Sequence, residues 1–155
     1  MTRAEQAMAY FQDGLNCSQS VCLAFAEQFG IERDTALKFA AGFGGGIGRM
    51  AETCGAVTGA VMALGLKYGF TQSSPEAKTA MYARVQQFAE RFTERYHSMF
   101  CRELLGYDIS IHEEHEKAKQ EKLFTTRCPE FVRTAAEIVE EMLNAQEAAS
   151  DTRNP

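Results

Sequence analysis

The chain has 155 residues, 45% of them hydrophobic, and a net charge of -5 from 16 Lys and Arg against 21 Asp and Glu. That is enough apolar material for one domain with a packed core and too little length for two comfortable ones. Dispersed cations within an acidic total argue against nucleic-acid phosphates as partners, and no apolar run approaches the roughly 20 residues that cross a bilayer, so no membrane insertion is expected. The first residues carry neither an apolar signal block nor a twin-arginine pair, which points to the cytoplasm. Reducing thiol pools there disfavour structural disulfides, so the five cysteines point to metal ligation, redox chemistry or inert burial.

Helical periodicity runs through almost every segment and no alternating stretch is long enough for a strand, so the expected fold is all-α, a single-domain bundle over residues 1–145 followed by a frayed polar tail over 146–155. A first helix from Arg3 to Asp13 stops at Gly14. A second runs from Cys17 to Phe29 with Val21, Phe25 and Phe29 on one face, and Gly30 ends it. A third, Arg33 to Ala41, leads into Gly42-Phe43-Gly44-Gly45-Gly46-Ile47-Gly48, where five glycines in seven positions rule out a stable helix interior and predict a turn at positive φ.

Cys54 to Tyr68 has no charge before Lys67 and reads as a buried central helix, and its glycines at 55, 59 and 65 predict close packing by its neighbours. Ser74, Pro75 and Glu76 mark the start of a long amphipathic helix to about His97, with Met81, Val85, Phe88, Phe92 and Tyr96 on one face. That stripe would suit either the core or a homodimer contact. A short run from Cys101 ends in Gly106, an exposed helix is expected from Ile111 to Leu123, and the last helix runs from Cys128 to about Ala145 with Phe131, Ala135, Ile138, Val139 and Met142 inward.

Cys17, Cys54, Cys101 and Cys128 all fall at these helix starts. Unpaired N–H groups of a first turn stabilise negative charge and so favour thiolate over thiol. The spacings of 37, 47 and 27 residues contain no CxxC pair, against a zinc ribbon or a bacterial ferredoxin. A site assembled from four remote helix ends is still sound chemistry, because soft thiolate sulfur is the ligand of iron–sulfur clusters and tetrahedral zinc. Gly44, Gly45, Gly46 and Gly48 of the loop, with Gly55 beside Cys54, are the residues whose backbone N–H groups would approach a cluster's sulfurs.

Asn16-Cys17-Ser18-Gln19-Ser20-Val21, the glycine loop, Cys54-Gly55-Ala56-Val57-Thr58-Gly59, Cys101-Arg102-Glu103-Leu104-Leu105-Gly106 and Cys128-Pro129 together resemble the C_GCAxxG_C_C family of bacterial and archaeal proteins described as redox-active. The resemblance places the four family cysteines on Cys17, Cys54, Cys101 and Cys128 and leaves Cys22 outside the set. It implies a redox partner protein or oxidoreductase, since members are often encoded beside oxidoreductase or transporter genes, and a relative exported by the twin-arginine route suggests a bound prosthetic group such as an iron–sulfur cluster. A similar region lies next to haem-binding parts in split-Soret cytochromes, but this chain has no CxxCH motif, so covalent haem does not carry over.

The expected function is electron transfer through an iron–sulfur or other metal centre held by the four cysteines. A metal-free thiol/disulfide oxidoreductase is the first rival, and a structural adaptor with buried cysteines the second. Cys22 lies about 140° around the helix from Cys17 and reads as a small core side chain. The glycine loop lacks the Lys-Ser/Thr ending of a P-loop, and His112 and His115 lack the order of a zincin, so nucleotide binding and a second metal site are minor readings. Arg49 is assigned to a carboxylate such as Glu52, an acidic partner or solvent, and His97 to a helix C-terminus.

Overall fold

A computed structural model describes the backbone of residues 1–151 and the side chains of residues 1–145. The fold is an all-α single domain. Helix α1 spans Arg3–Gln12 behind a reciprocal cap of Thr2 and Glu5, and α2 spans Cys17–Ala26 behind the same device made by Asn16 and Gln19. The last turn expected of α2 tightens into a 3-10 turn, Glu27–Phe29, before Gly30 reverses the chain in the left-handed region. Helix α3 covers Arg33–Ala40 and passes through a second 3-10 turn, Ala41–Phe43, into the glycine loop.

Helix α4, Gly55–Tyr68, lies against α2 along the closest helix pair of the fold. Small residues permit that approach. A Cβ on Gly59 would sit 2.6 Å from the Ser18 carbonyl oxygen, so the α2 backbone occupies the place of a side chain. The same argument fails at Gly65, where a Cβ would meet nothing within 4 Å, so the expectation of close packing holds for the first half of the helix and not for its end.

Helix α5, Pro75–Tyr96, is capped by Ser74 and stops at His97, whose φ of 65° makes it the left-handed C-cap, with its N–H donating to Thr93 O at 2.7 Å. Met81, Phe88 and Phe92 are buried and Val85 and Tyr96 pack on the core, so this stripe is spent internally and offers no dimer face. Phe92, Tyr96 and Phe131 form an aromatic chain with centroids 5.0 and 4.9 Å apart, and the Tyr96 hydroxyl sits 2.7 Å from Thr134 Oγ1.

Helix α6 is the short Cys101–Leu105. The single helix expected from Ile111 to Leu123 is two, α7 at His112–Gln120 and α8 at Leu123–Thr126, because Lys122 turns left-handed at φ 59° and breaks the register. Helix α9, Cys128–Asp151, runs six residues beyond the expected end near Ala145, and residues 152–155 of the expected tail lie outside the described residues. It packs on α1, α2 and α4 and closes the bundle. No described helix is long and apolar enough to cross a membrane.

Candidate functional site: four cysteines around one cavity

All four predicted cysteines stand at helix starts. Cys17, Cys101 and Cys128 are the first residues of α2, α6 and α9, and Cys54 is the N-cap of α4. Together they line a single cavity of about 140 Å³, walled otherwise by apolar side chains such as Phe11, Leu104, Ile109, Phe124 and Phe131. All five cysteines are free thiols. Cys22 lies elsewhere, in a second small core with Leu23, Ala26, Ala36 and Ala40, as its place on α2 predicts.

Each cysteine is set by its own local device. The Asn16 side chain accepts from Gln19 N at 2.9 Å and donates to Ala41 O at 3.0 Å, tying the start of α2 to the entrance of the glycine loop. Thr53 and Phe100 form an isolated antiparallel bridge, flanked by hydrogen bonds from Cys54 N to Met99 O at 2.8 Å and from Cys101 N to Glu52 O at 2.7 Å. Arg102 fastens that bridge: its Nε donates to Ala51 O at 3.0 Å and its Nη2 pairs with Glu52 at 2.5 Å. Cys128 opens α9, with Pro129 where the missing N–H costs nothing.

The glycine loop is a tight left-handed coil. Gly45, Gly46 and Gly48 have positive φ, as the sequence predicts, and so do Ile47, Arg49 and Ala51, which it does not. At Gly46 no other residue fits, because φ is 69° and a Cβ would sit 2.6 Å from Glu52 N. Carbonyls of Gly42, Gly44, Gly45 and Gly46 accept from the N–H groups of Gly48, Arg49, Ala51 and Glu52, which locks the coil on itself. Gly45, Gly46 and Gly55 line the cysteine cavity, whereas Gly44 and Gly48 line a wider groove beside it.

The electrostatics separate the four thiols into two kinds. Burial pushes Cys54 up to about 12, outweighing the N–H groups of Ala56 and Val57 that point the other way. Burial also pushes Cys101 up to about 12. Cys17 and Cys128 are hydrogen-bonded to each other, which raises Cys17 well above the ordinary thiol range and lowers Cys128, helped by the nearby Arg127 charge. The expectation that every helix start favours thiolate therefore holds at Cys128 alone. Elsewhere the cost of burying charge exceeds what a helix N-terminus returns.

Among the described residues, no three or more His, Cys, Asp or Glu side chains stand together as a group that could hold a metal ion. The cysteines are distributed around a cavity wall and not drawn to one point. His112 and His115 form no metal group either: His112 is exposed, and His115 lies over Phe124 with ring centroids 5.1 Å apart. Arg49 is not paired with Glu52, which belongs to Arg102. Sequence reasoning did not find the Arg102 clamp, although an arginine directly after Cys101 was its one visible signal. Nor did it find Phe11, Ile109 and Phe124 as cavity wall, since their approach depends on tertiary packing.

A helical bundle that brings four free thiols from four helix starts to one apolar cavity defines a cysteine-site protein. Residues 15–142 match the family model described as "Putative redox-active protein (C_GCAxxG_C_C)", and the chain belongs to that family. Comparison with curated proteins and with solved structures returned no match.

Proposed function

We propose that the cavity ringed by Cys17, Cys54, Cys101 and Cys128 is a redox site whose four sulfurs hold an iron–sulfur cluster and pass electrons to a partner protein. The observation that carries this reading is the sorting of the cysteines: the four family positions line one cavity and Cys22 does not. The donor set suits such a cluster, being four soft sulfurs without a competing hard ligand, and their spread around a cavity suits a multi-atom group better than a single ion. When bound, the cluster would supply one-electron chemistry. Cys54 and Cys101 would anchor one side through the bridged backbone, and Cys17 and Cys128 the other. Apolar walls would keep water away, and Gly45 and Gly46 let the loop backbone come close. Buried neutral thiols must lose their protons for this role, which a bound cation enforces.

The Cys17 to Cys128 hydrogen bond favours a second reading, a metal-free dithiol. Cys128 thiolate would attack an external disulfide and displace one thiolate. Cys17, giving up its proton, would then attack the mixed disulfide and release the second. Two protein thiols become one disulfide, and the external disulfide becomes two thiols.

Anaerobic purification with a visible spectrum and quantified iron and sulfide separates the two. Broad sulfur-to-iron absorption with matching iron and sulfide supports the cluster. Colourless, iron-free protein that also fails to take up iron and sulfide in reconstitution overturns it, and rapid formation of a Cys17–Cys128 disulfide then selects the dithiol.

A further inference from the structure

The wide groove beside the cysteine cavity has a volume of about 710 Å³, within the range of small-molecule sites. It shares Asn16, Gly45, Ile109 and Phe124 with the cavity wall, so the two spaces adjoin. Its chemistry is graded. Ile109 and Phe124 lie where it meets the cavity, and Arg49, His115 and the loop residues Gly44 and Gly48 make up the rest.

Two features of Arg49 stand out. It is held at φ 63°, a region that L side chains rarely adopt and that costs on the order of 1 kcal/mol, at a position with no visible structural return. Its guanidinium has no carboxylate partner among the described residues, while the nearest obvious candidate, Glu52, is taken by Arg102. Beside it, the backbone N–H groups of Gly44 and Gly45 donate to no acceptor among the described residues. A fixed cation and open N–H donors on one wall, facing a space with an apolar end, are the elements of oxyanion recognition.

We propose that this groove binds a small organic molecule with a phosphate or carboxylate at one end, held by Arg49 and the Gly44–Gly45 amides, and an apolar part against Ile109 and Phe124 next to the cysteines. The inference concerns binding and does not depend on whether the cysteines hold a cluster.

Phenyl phosphate, phenylacetate, inorganic phosphate and neutral benzyl alcohol are titrated into the isotope-labelled protein and followed by NMR, with iron and sulfide quantified in the same preparation. Phenyl phosphate and phenylacetate are expected to shift the amides of Gly44, Gly45 and Gly48 and the His115 ring, and their relative affinities identify the preferred oxyanion. Both bind more tightly than inorganic phosphate or benzyl alcohol, each of which offers one half of the recognition. Arg49→Gln weakens the two aromatic anions by about tenfold, and Arg49→Lys, with the same backbone strain and the charge kept, recovers a good part of that. Absence of shifts at the loop, shifts scattered over other cationic surfaces, or equal losses in both variants would overturn the proposal. Iron-free protein that binds the probes retains this inference while sinking the cluster. Iron-loaded protein that ignores them does the reverse.

Discussion

Cys54 and Cys101, 47 residues apart in sequence, are fixed as neighbours by their own backbone amides, each of which donates across the Thr53–Phe100 bridge. The amide that opens α6 is thereby used to position a cysteine instead of stabilising a thiolate. This fits the thiols themselves: burial leaves both Cys54 and Cys101 neutral up to about 12.

The clamp on that bridge is testable by separating its parts. Arg102→Ala removes the Nε donor to Ala51 O together with the ion pair, and is expected to cost about 1–2 kcal/mol in denaturant unfolding. Glu52→Gln removes only a half-exposed ion pair and is expected to cost less than about 1 kcal/mol. Equal costs would show that the charge pair, and not the backbone tie, holds the bridge.

The two buried cysteines Cys22 and Cys54 predict opposite outcomes. Cys54→Ala is expected to abolish iron and sulfide uptake, or thiol cycling if the site is metal-free, whereas Cys22→Ala leaves either intact because Cys22 belongs to the separate Leu23–Ala36 core. Metal analysis and a redox titration of both variants read the difference. The same loss in both would remove the four-cysteine assignment.

Thiol reactivity and stability share one cause. In reduced, metal-free protein near neutral pH, Cys128 is expected to alkylate first, since it alone is lowered and is half-buried, with Cys54 and Cys101 at least about tenfold slower. For stability, an unfolded thiol at an ordinary 9.0 ionises before the native Cys54 at about 12, so the unfolded state loses its proton first. Stability is therefore full below pH 9 and falls from there toward 12, on the order of 1 kcal/mol per pH unit for Cys54. Unfolding curves of the parent and of Cys54→Ala across that window should diverge in slope, and parallel curves would contradict it.

Two glycines of one helix should respond with opposite sign. Gly59→Ala drives a methyl into the Ser18 carbonyl at 2.6 Å and against Val21, and is expected to destabilise by about 1–3 kcal/mol. Gly65→Ala meets open space and stiffens the helix, for a gain of up to about 1 kcal/mol. Thermal unfolding of the pair checks both signs.

Local chemistry explains what the sequence reveals of this molecule. Asn16, Ser74 and Pro129 mark helix starts because capping acts within a few residues, so the placement of four cysteines at helix N-termini was readable. Convergence was suggested only by the family resemblance, since nothing near Cys54 encodes its meeting with Cys101. The left-handed turn at Lys122 was hidden because lysine gives no turn signal, and the charged segment around it has no strong apolar period. The titration pattern was misjudged for a related reason: a helix start is visible in sequence, whereas the burial that overrides it at Cys54 is a property of packing.

The closure of the bundle by α1 against α9 also sets when the site can exist. Cys17, Cys54 and Cys101 emerge from the ribosome before Cys128, and the cavity wall at Phe131 follows later still. Until α9 docks, Cys17 lacks its hydrogen-bond partner and the cavity lacks one side. Maturation of this protein is therefore a post-translational event: throughout synthesis the nascent chain carries unshielded thiols, and any cargo or oxidation state the finished site acquires is installed on the released, folded chain.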